Sequence, residues 1–259
     1  MIQNSFILLD RIGYKREERL WKMGIHHWMD FTETKGIAGI SKREKEHHDN
    51  VLEKAKICLS EGDSYFFGQR MKSRDHWRLM PEFKDKICYL DIETTGLSPS
   101  QNDLTVVGMY DGQEAKTFVR GINLDEDTLS REFSKYRLIV SFYGSAFDVP
   151  FLRSAYPNLS FDLPHVDLCF MGRRIGLHGG LKRIEREIGI NRGEGIKEVN
   201  GYEAVRLWKK WERDRNKEAL DTLLEYNRAD VVNLQRLAEV VYDGLKRETL
   251  REIKSFKPN

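Results

Sequence analysis

Four acidic side chains and one tyrosine carry the chemistry this chain can do. The stretch "CYLDIETTGLSP" begins at Cys88 and sets Asp91 and Glu93 two apart inside an apolar run. Side chains alternate across a strand, so both carboxylates point to one face. "SFYGSAFDVPF" places Asp148 just past a buried strand, at the opening of a helix, where it meets the positive end of the dipole. "LLEYNRADVVNL" places Tyr226 and Asp230 four apart, on one face of a terminal helix. Like charges on buried elements are costly unless something compensates them. Four carboxylates from three separated segments converge only if divalent cations neutralise them. Oxygen ligands without His or Cys select hard ions, Mg²⁺ or Mn²⁺. Two such ions about 3.5–4 Å apart can activate a water and stabilise the leaving oxygen in phosphodiester hydrolysis.

These groups need elements to hold them. The chain has 259 residues, 40% hydrophobic and 32% charged, with a net charge of +2, which suits a soluble globular protein with one large domain and an appendage. It divides near residue 84. Residues 1–59 read as a helical segment, 60–84 as a lead-in, and 85–259 as an α/β domain. "DKICYLDIE" predicts a strand, and "DLTVVGMYDGQEAKTFVRG" two strands joined by the Asp111-Gly112 turn. "DEDTLSREFSKY" predicts a helix, "RLIVSFYG" a strand buried on both faces, "DVPFLRSAYP" a short helix and "PHVDLCF" a further strand. "LKRIEREIGI", "GYEAVRLWKKWER" and the run from about Lys217 to Arg251 close the domain as helices. Three strands in a meander, then alternating helix and strand, make a mixed sheet flanked by helices. The cysteines, Cys58, Cys88 and Cys169, show no pairing or zinc spacing and read as reduced buried thiols. The early apolar run Phe6 to Leu9 is too short for a leader, and nothing approaches a membrane span, so a cytoplasmic protein with no membrane partner is expected.

Asp-x-Glu, "FD" and Tyr-x-x-x-Asp are each ordinary alone; in this order and these contexts they are specific. "LDIETTGL", "SFYGSAFD" and "YNRAD" resemble the three motifs of the DEDD exonuclease superfamily, in its tyrosine form. "HWRLMPEFKDKICYLDIETTGL", with "PHVDL" and "GLKRIEREIGI", is similar to the YprB-like branch with a ribonuclease-H-like fold, over about residues 60 to 245. The resemblance implies that Asp91, Glu93, Asp148 and Asp230 are ligands to two Mg²⁺ or Mn²⁺ ions. It implies that Tyr226 orients the attacking water, and that cleavage runs from a free 3′ end of single-stranded DNA or RNA, DNA favoured. Thr94, Thr95 and Gly96 match the loop after the first motif, where backbone approaches the terminal nucleotide. Tyr143 stands where many relatives carry Asn, and with Phe147 completes the expected substrate contacts around the second motif. Asp167 is expected to be structural. A non-catalytic nucleic-acid-binding module and a structure-selective endonuclease are the alternatives on this fold.

Basic and aromatic residues elsewhere have two readings each. "GRRIGLHGGLKR" sets Arg173, Arg174, Lys182 and Arg183 around glycines entering a helix, a phosphate-binding arrangement or a solvated basic face; Arg174 and Lys182 are taken as substrate contacts. "YFFGQRMKSRDHWR" suits stacking plus charge on a single strand, or a linker docked on the domain. "LLDRIGYKREERLWKMGI" resembles a helix-hairpin-helix element with Arg11 replacing its first glycine, or is a small helical cap anchored by Trp21, Trp28 and Phe31. Trp208 and Trp211 read as core anchors. The adjacent pairs His26-His27 and His47-His48 do not converge on a helix and are not taken as metal ligands.

Overall fold

A computed structural model describes residues 1–197 and 199–254, so Glu198 and the last five residues of the expected 85–259 domain lie outside the described residues. Alternation along β1 (Ile87–Thr94) divides the interior. Cys88, Leu90 and Ile92 enter one core, with Leu129 and Phe133 of α5 (Glu126–Phe133) and Phe151 and Leu152 of α6 (Asp148–Ala155). Ile87 and Tyr89 enter a second core on the opposite face, with the later turns of α10 (Lys217–Lys254). Asp91 and Glu93 continue that second face beyond Tyr89, where apolar packing gives way to polar groups.

The sheet has the order β3-β2-β1-β4-β5. β2 (Leu104–Tyr110) pairs antiparallel with β1 and with β3 (Ala115–Val119), while β4 (Leu138–Ser141) and β5 (His165–Asp167) run parallel to β1. This is the expected mixed sheet, flanked by helices on both faces. One expectation is corrected: "PHVDLCF" is not a strand throughout. β5 stops at Asp167, whose carboxylate accepts the Cys169 amide and caps α7 (Leu168–Arg173). α8 (Leu181–Glu187) and α9 (Gly201–Asp214) follow, and Trp208 is buried with partly buried Trp211 against the start of α10.

Before β1 the described residues form helices and turns: α1 (Tyr14–Lys22), α2 (Trp28–Glu33), α3 (Lys42–Glu61) and α4 (Ser64–Arg70). Glycines bound α1, Gly13 as its N-cap and Gly24 in the left-handed region (φ +82°) after it. Trp21, Trp28 and Phe31 are buried in the same core as β1, β4 and α10. Arg78, counted above in a strand-binding stripe, is corrected: it is 1% exposed and donates to Glu17 (2.9 Å) and the Ser5 hydroxyl (2.8 Å). A buried guanidinium requires a buried carboxylate, and α1 turns Glu17 inward to supply it. Among the described residues the histidine pairs join no cluster of three potential metal ligands: His27 caps α2, while His47 and His48 both bond to Asp10, one at its carboxylate and one at its carbonyl. Among the described residues, no helix is long and apolar enough to cross a membrane.

Candidate active site

Three of the four carboxylates predicted from sequence come together, and the fourth, Asp148, lies outside that group. Ligand oxygens of Asp91, Glu93 and Asp230 lie within 4.8 Å of one another. Asp148 is 3% exposed at the first residue of α6 and electrostatically coupled to the other three. A register shift in the β1–β2 ladder follows Glu93 and turns the strand where it delivers the second carboxylate.

Sequence reasoning missed the groups that hold the cluster. Gly108 on β2 pairs with Asp91, and a methyl group there would collide with the Asn227 side chain of α10. The bare backbone lets α10 approach, so Asn227 Nδ2 reaches Asp91 Oδ2 at 2.8 Å. Arg192, in the loop after α8, donates through Nε and Nη2 to Glu185 (2.7 and 2.8 Å), and Nη2 also meets Asp230. Glu185 is 1% exposed and is held further by Asn233 (2.9 Å). The Arg192 guanidinium lies 5.5 Å from the centre of the Tyr226 ring. The signal for Asn227 was its position between the two motif residues of α10. For Arg192, a loop residue after "EIGI", no spacing gave one.

The loop before Asp148 hangs on Asp167. Its carboxylate accepts from the amides of Tyr143 (2.9 Å) and Ser145 (3.0 Å) and from the Ser145 hydroxyl (2.6 Å). These bonds hold Tyr143 at φ +65°, with Gly144 packed too tightly on Ser141 for any side chain. Asp167 thus has the structural place expected for it.

Burial is the largest cause of every shift in the cluster. It raises Asp91 and Glu93 well above the usual carboxylate range, and the neighbouring acids raise them further. Asp148 is pushed up to about 8, mainly by burial, against the opposing pull of nearby backbone amides. Asp230 reaches only about 6, because the Arg192 charge opposes burial. Tyr226 is driven far above the usual phenol value, first by burial and then by Asp230, Glu93 and Asp91. Acids held in this way bind protons or cations readily. The all-oxygen donor set and its short spacing fit a hard divalent ion.

Over the cluster opens a cleft of about 180 Å³, walled by the three clustered acids and by Thr94, Gly96, Phe147 and Tyr226. Thr95 bonds back to Asp103 through its amide and hydroxyl and stands outside those walls. Lys182 lies 5.2 Å from the Tyr226 ring centre, at the edge of the site. Tyr143 is 46% exposed against Phe170, and Arg174 donates to the Arg74 carbonyl (2.6 Å); neither lines the cleft.

The RNase_H superfamily profile matches residues 88–242, which take in β1 from its second residue, the other four strands and all five candidate catalytic residues. The chain belongs to the RNase H superfamily. Within curated proteins it is similar to the uncharacterized protein MJ0365 of Methanocaldococcus jannaschii, 26% identical over 179 residues, 60% of this chain and 94% of that one. Among solved structures it is similar to the apo form of a nuclease (19% identity, TM-score 0.49, 71% of this chain and 83% of that one). Brucella melitensis NrnC is similar at 21% identity and TM-score 0.46, over 68% of this chain and 82% of that one. Likenesses this distant carry no functional weight of their own, and the site's own geometry has to supply the chemistry of this RNase H-like domain.

Proposed function

We infer that this RNase H-superfamily chain is a metal-dependent 3′–5′ exonuclease acting on single-stranded nucleic acid, DNA in preference to RNA. The observation that carries the reading is the 4.8 Å convergence of Asp91, Glu93 and Asp230, with buried Asp148 beside them. No purely structural role accounts for four mutually repelling acids, because idle they would only destabilise the domain. The order of the motifs, and Tyr226 at the third, support the tyrosine form of the DEDD superfamily and its YprB-like branch. Direction from the 3′ end rests on that resemblance, and the preference for DNA on the sequence likeness of "RIG" to a hairpin motif, although residues 7–11 form turns and not a helix before α1.

Asp91, Glu93, Asp148 and Asp230 would hold two Mg²⁺ or Mn²⁺ ions. Such ions lower the pKa of water and neutralise charge on the leaving oxygen. Asn227 fixes the rotamer of Asp91. Burial and the neighbouring acids raise Tyr226 above the usual phenol value, which favours a neutral hydroxyl that would orient the attacking water by hydrogen bonding. Thr94, Gly96 and Phe147 wall the space beside the acids and would seat the terminal nucleotide; Lys182 would approach its phosphate.

Oligonucleotides of DNA and RNA, labelled at the 3′ or the 5′ end, test the reading with Mg²⁺ present. Release of labelled monophosphates from the 3′ end, faster from DNA, is expected. Internal cuts, or release from the 5′ end, would overturn the 3′–5′ assignment.

A further inference from the structure

The acid cluster already contains one cation. The Arg192 side chain is 6% exposed, and its carboxylate partners Glu185 and Asp230 are 1% and 6% exposed. Its Nε and Nη2 donate to Glu185, and Nη2 also donates to Asp230 Oδ1. The two pairs are made differently. Glu185 and Arg192 belong to one short segment, in which the Ile190 amide returns to the Glu185 carbonyl (2.8 Å) and Gly189 between them is left-handed (φ +79°). Asn233 of α10 fixes Glu185 from a second direction (2.9 Å). The contact with Asp230 is added across the fold, so Arg192 can let Asp230 go and keep Glu185.

Asp230 thus faces two claims. A guanidinium and a divalent ion on one carboxylate are like charges in a water-poor place, and they repel. A donor behind a metal ligand can instead orient it, an effect worth about 10–100-fold in metal affinity. Arginine is always charged, and here it touches the ligand directly, so repulsion is the larger effect. The remaining corner of the fork, Nη1, is buried with no acceptor among the described residues. Buried donors are nearly always paired, so hydrogen bonding alone does not account for an arginine at this position; its charge does.

We propose that Arg192 is a resident counter-ion of the acid cluster: it neutralises Asp230 until a divalent ion displaces it, and Glu185 keeps the guanidinium beside the site. The proposal rests on the metal-dependent reading of the cluster. Its consequence is that Arg192 weakens metal binding while it keeps the acids folded together without metal.

Titration of the full chain with Mn²⁺, followed by calorimetry and by the spin-resonance signal of the free ion, tests this without substrate or turnover. Arg192→Gln should bind Mn²⁺ about tenfold more tightly than the wild type, and Mn²⁺ should raise its melting temperature by more. Arg192→Lys, which keeps the charge, should stay near the wild type. The double variant Arg192→Gln/Glu185→Gln leaves neither member of the pair as a lone buried charge, which protects folding, and should still bind more tightly than the wild type. In an Asp230→Asn background most of the gain from Arg192→Gln should disappear, because the competition runs through that carboxylate. The proposal is overturned if the wild type binds Mn²⁺ and both Arg192→Gln proteins bind it equally or more weakly, which would make Arg192 an orienting partner of Asp230. It is overturned as well if the gain persists in full in Asp230→Asn. Mn²⁺ binding by none of these proteins would overturn the metal site itself, and this proposal with it.

Discussion

Tyr226 and Asp148 show how far burial decides what a residue can do. The Tyr226 ring is packed beside Val106 and between cations, and burial together with the neighbouring acids raises its hydroxyl well above the usual phenol value. Tyr226→Phe keeps the ring and removes only the hydroxyl. The single-turnover rate should fall about tenfold to a thousandfold with substrate affinity little changed; an unchanged rate would return Tyr226 to a packing role. Asp148 ionises near pH 3.8 when unfolded and near 8 when folded without metal. The folded state therefore holds the proton more tightly, and this contribution to stability is lost as pH rises between those values. In chelator, the melting temperature should fall as pH is raised from about 5 to about 8, and Asp148→Asn should flatten the slope. A melting temperature that climbs over that range would show that the acids are not clustered in solution.

Elements bring these residues together through contacts that only partly reveal themselves in sequence. The Asp-x-Glu spacing on β1 and the Tyr-x-x-x-Asp spacing on α10 were legible because strand and helix periods fix which side chains share a face. Asp148 was legible from the buried strand before it. Asn227 and Arg192 were not, since each acts across the fold on a partner far away in the chain: Asn227 on Asp91, and Arg192 on Asp230. Gly108 was read only as part of an apolar strand, yet its missing side chain sets how closely α10 approaches β1. Gly108→Ala should push Asn227 off Asp91, costing about 1–3 kcal/mol of stability by overpacking. It should also weaken metal-dependent turnover, although the position touches no substrate. Wild-type melting and wild-type turnover together would show that the close approach is dispensable. β5 was overextended for a comparable reason: the Asp167 cap that ends it is a local hydrogen bond, and strand periodicity does not register it.

At the scale of the whole molecule, the N-terminal helices belong to the interior. Trp28 and Phe31 share a core with Leu138, Val140 and Leu237, and the buried Arg78–Glu17 pair ties the 3-10 helix Ser73–Leu79 to α1. Deleting residues 1–59 should strip that core and leave Arg78 without its partner, a loss of about 3–5 kcal/mol for a broken buried pair alone. The truncated chain is expected to aggregate or to melt well below the full chain; a soluble truncation with full melting temperature would contradict the shared core. What the assembled molecule is for comes down to the four acids. The most direct measurement is the cleavage rate of a 3′-labelled single-stranded DNA as Mg²⁺ is raised from zero, for the wild type and for Asp91→Asn. The wild type should be silent in EDTA and rise to saturation with Mg²⁺, while Asp91→Asn, folded and melting no lower than wild type in chelator, should stay at background throughout. Cleavage that persists in excess EDTA, or that survives Asp91→Asn, would contradict a metal-dependent nuclease site at these carboxylates.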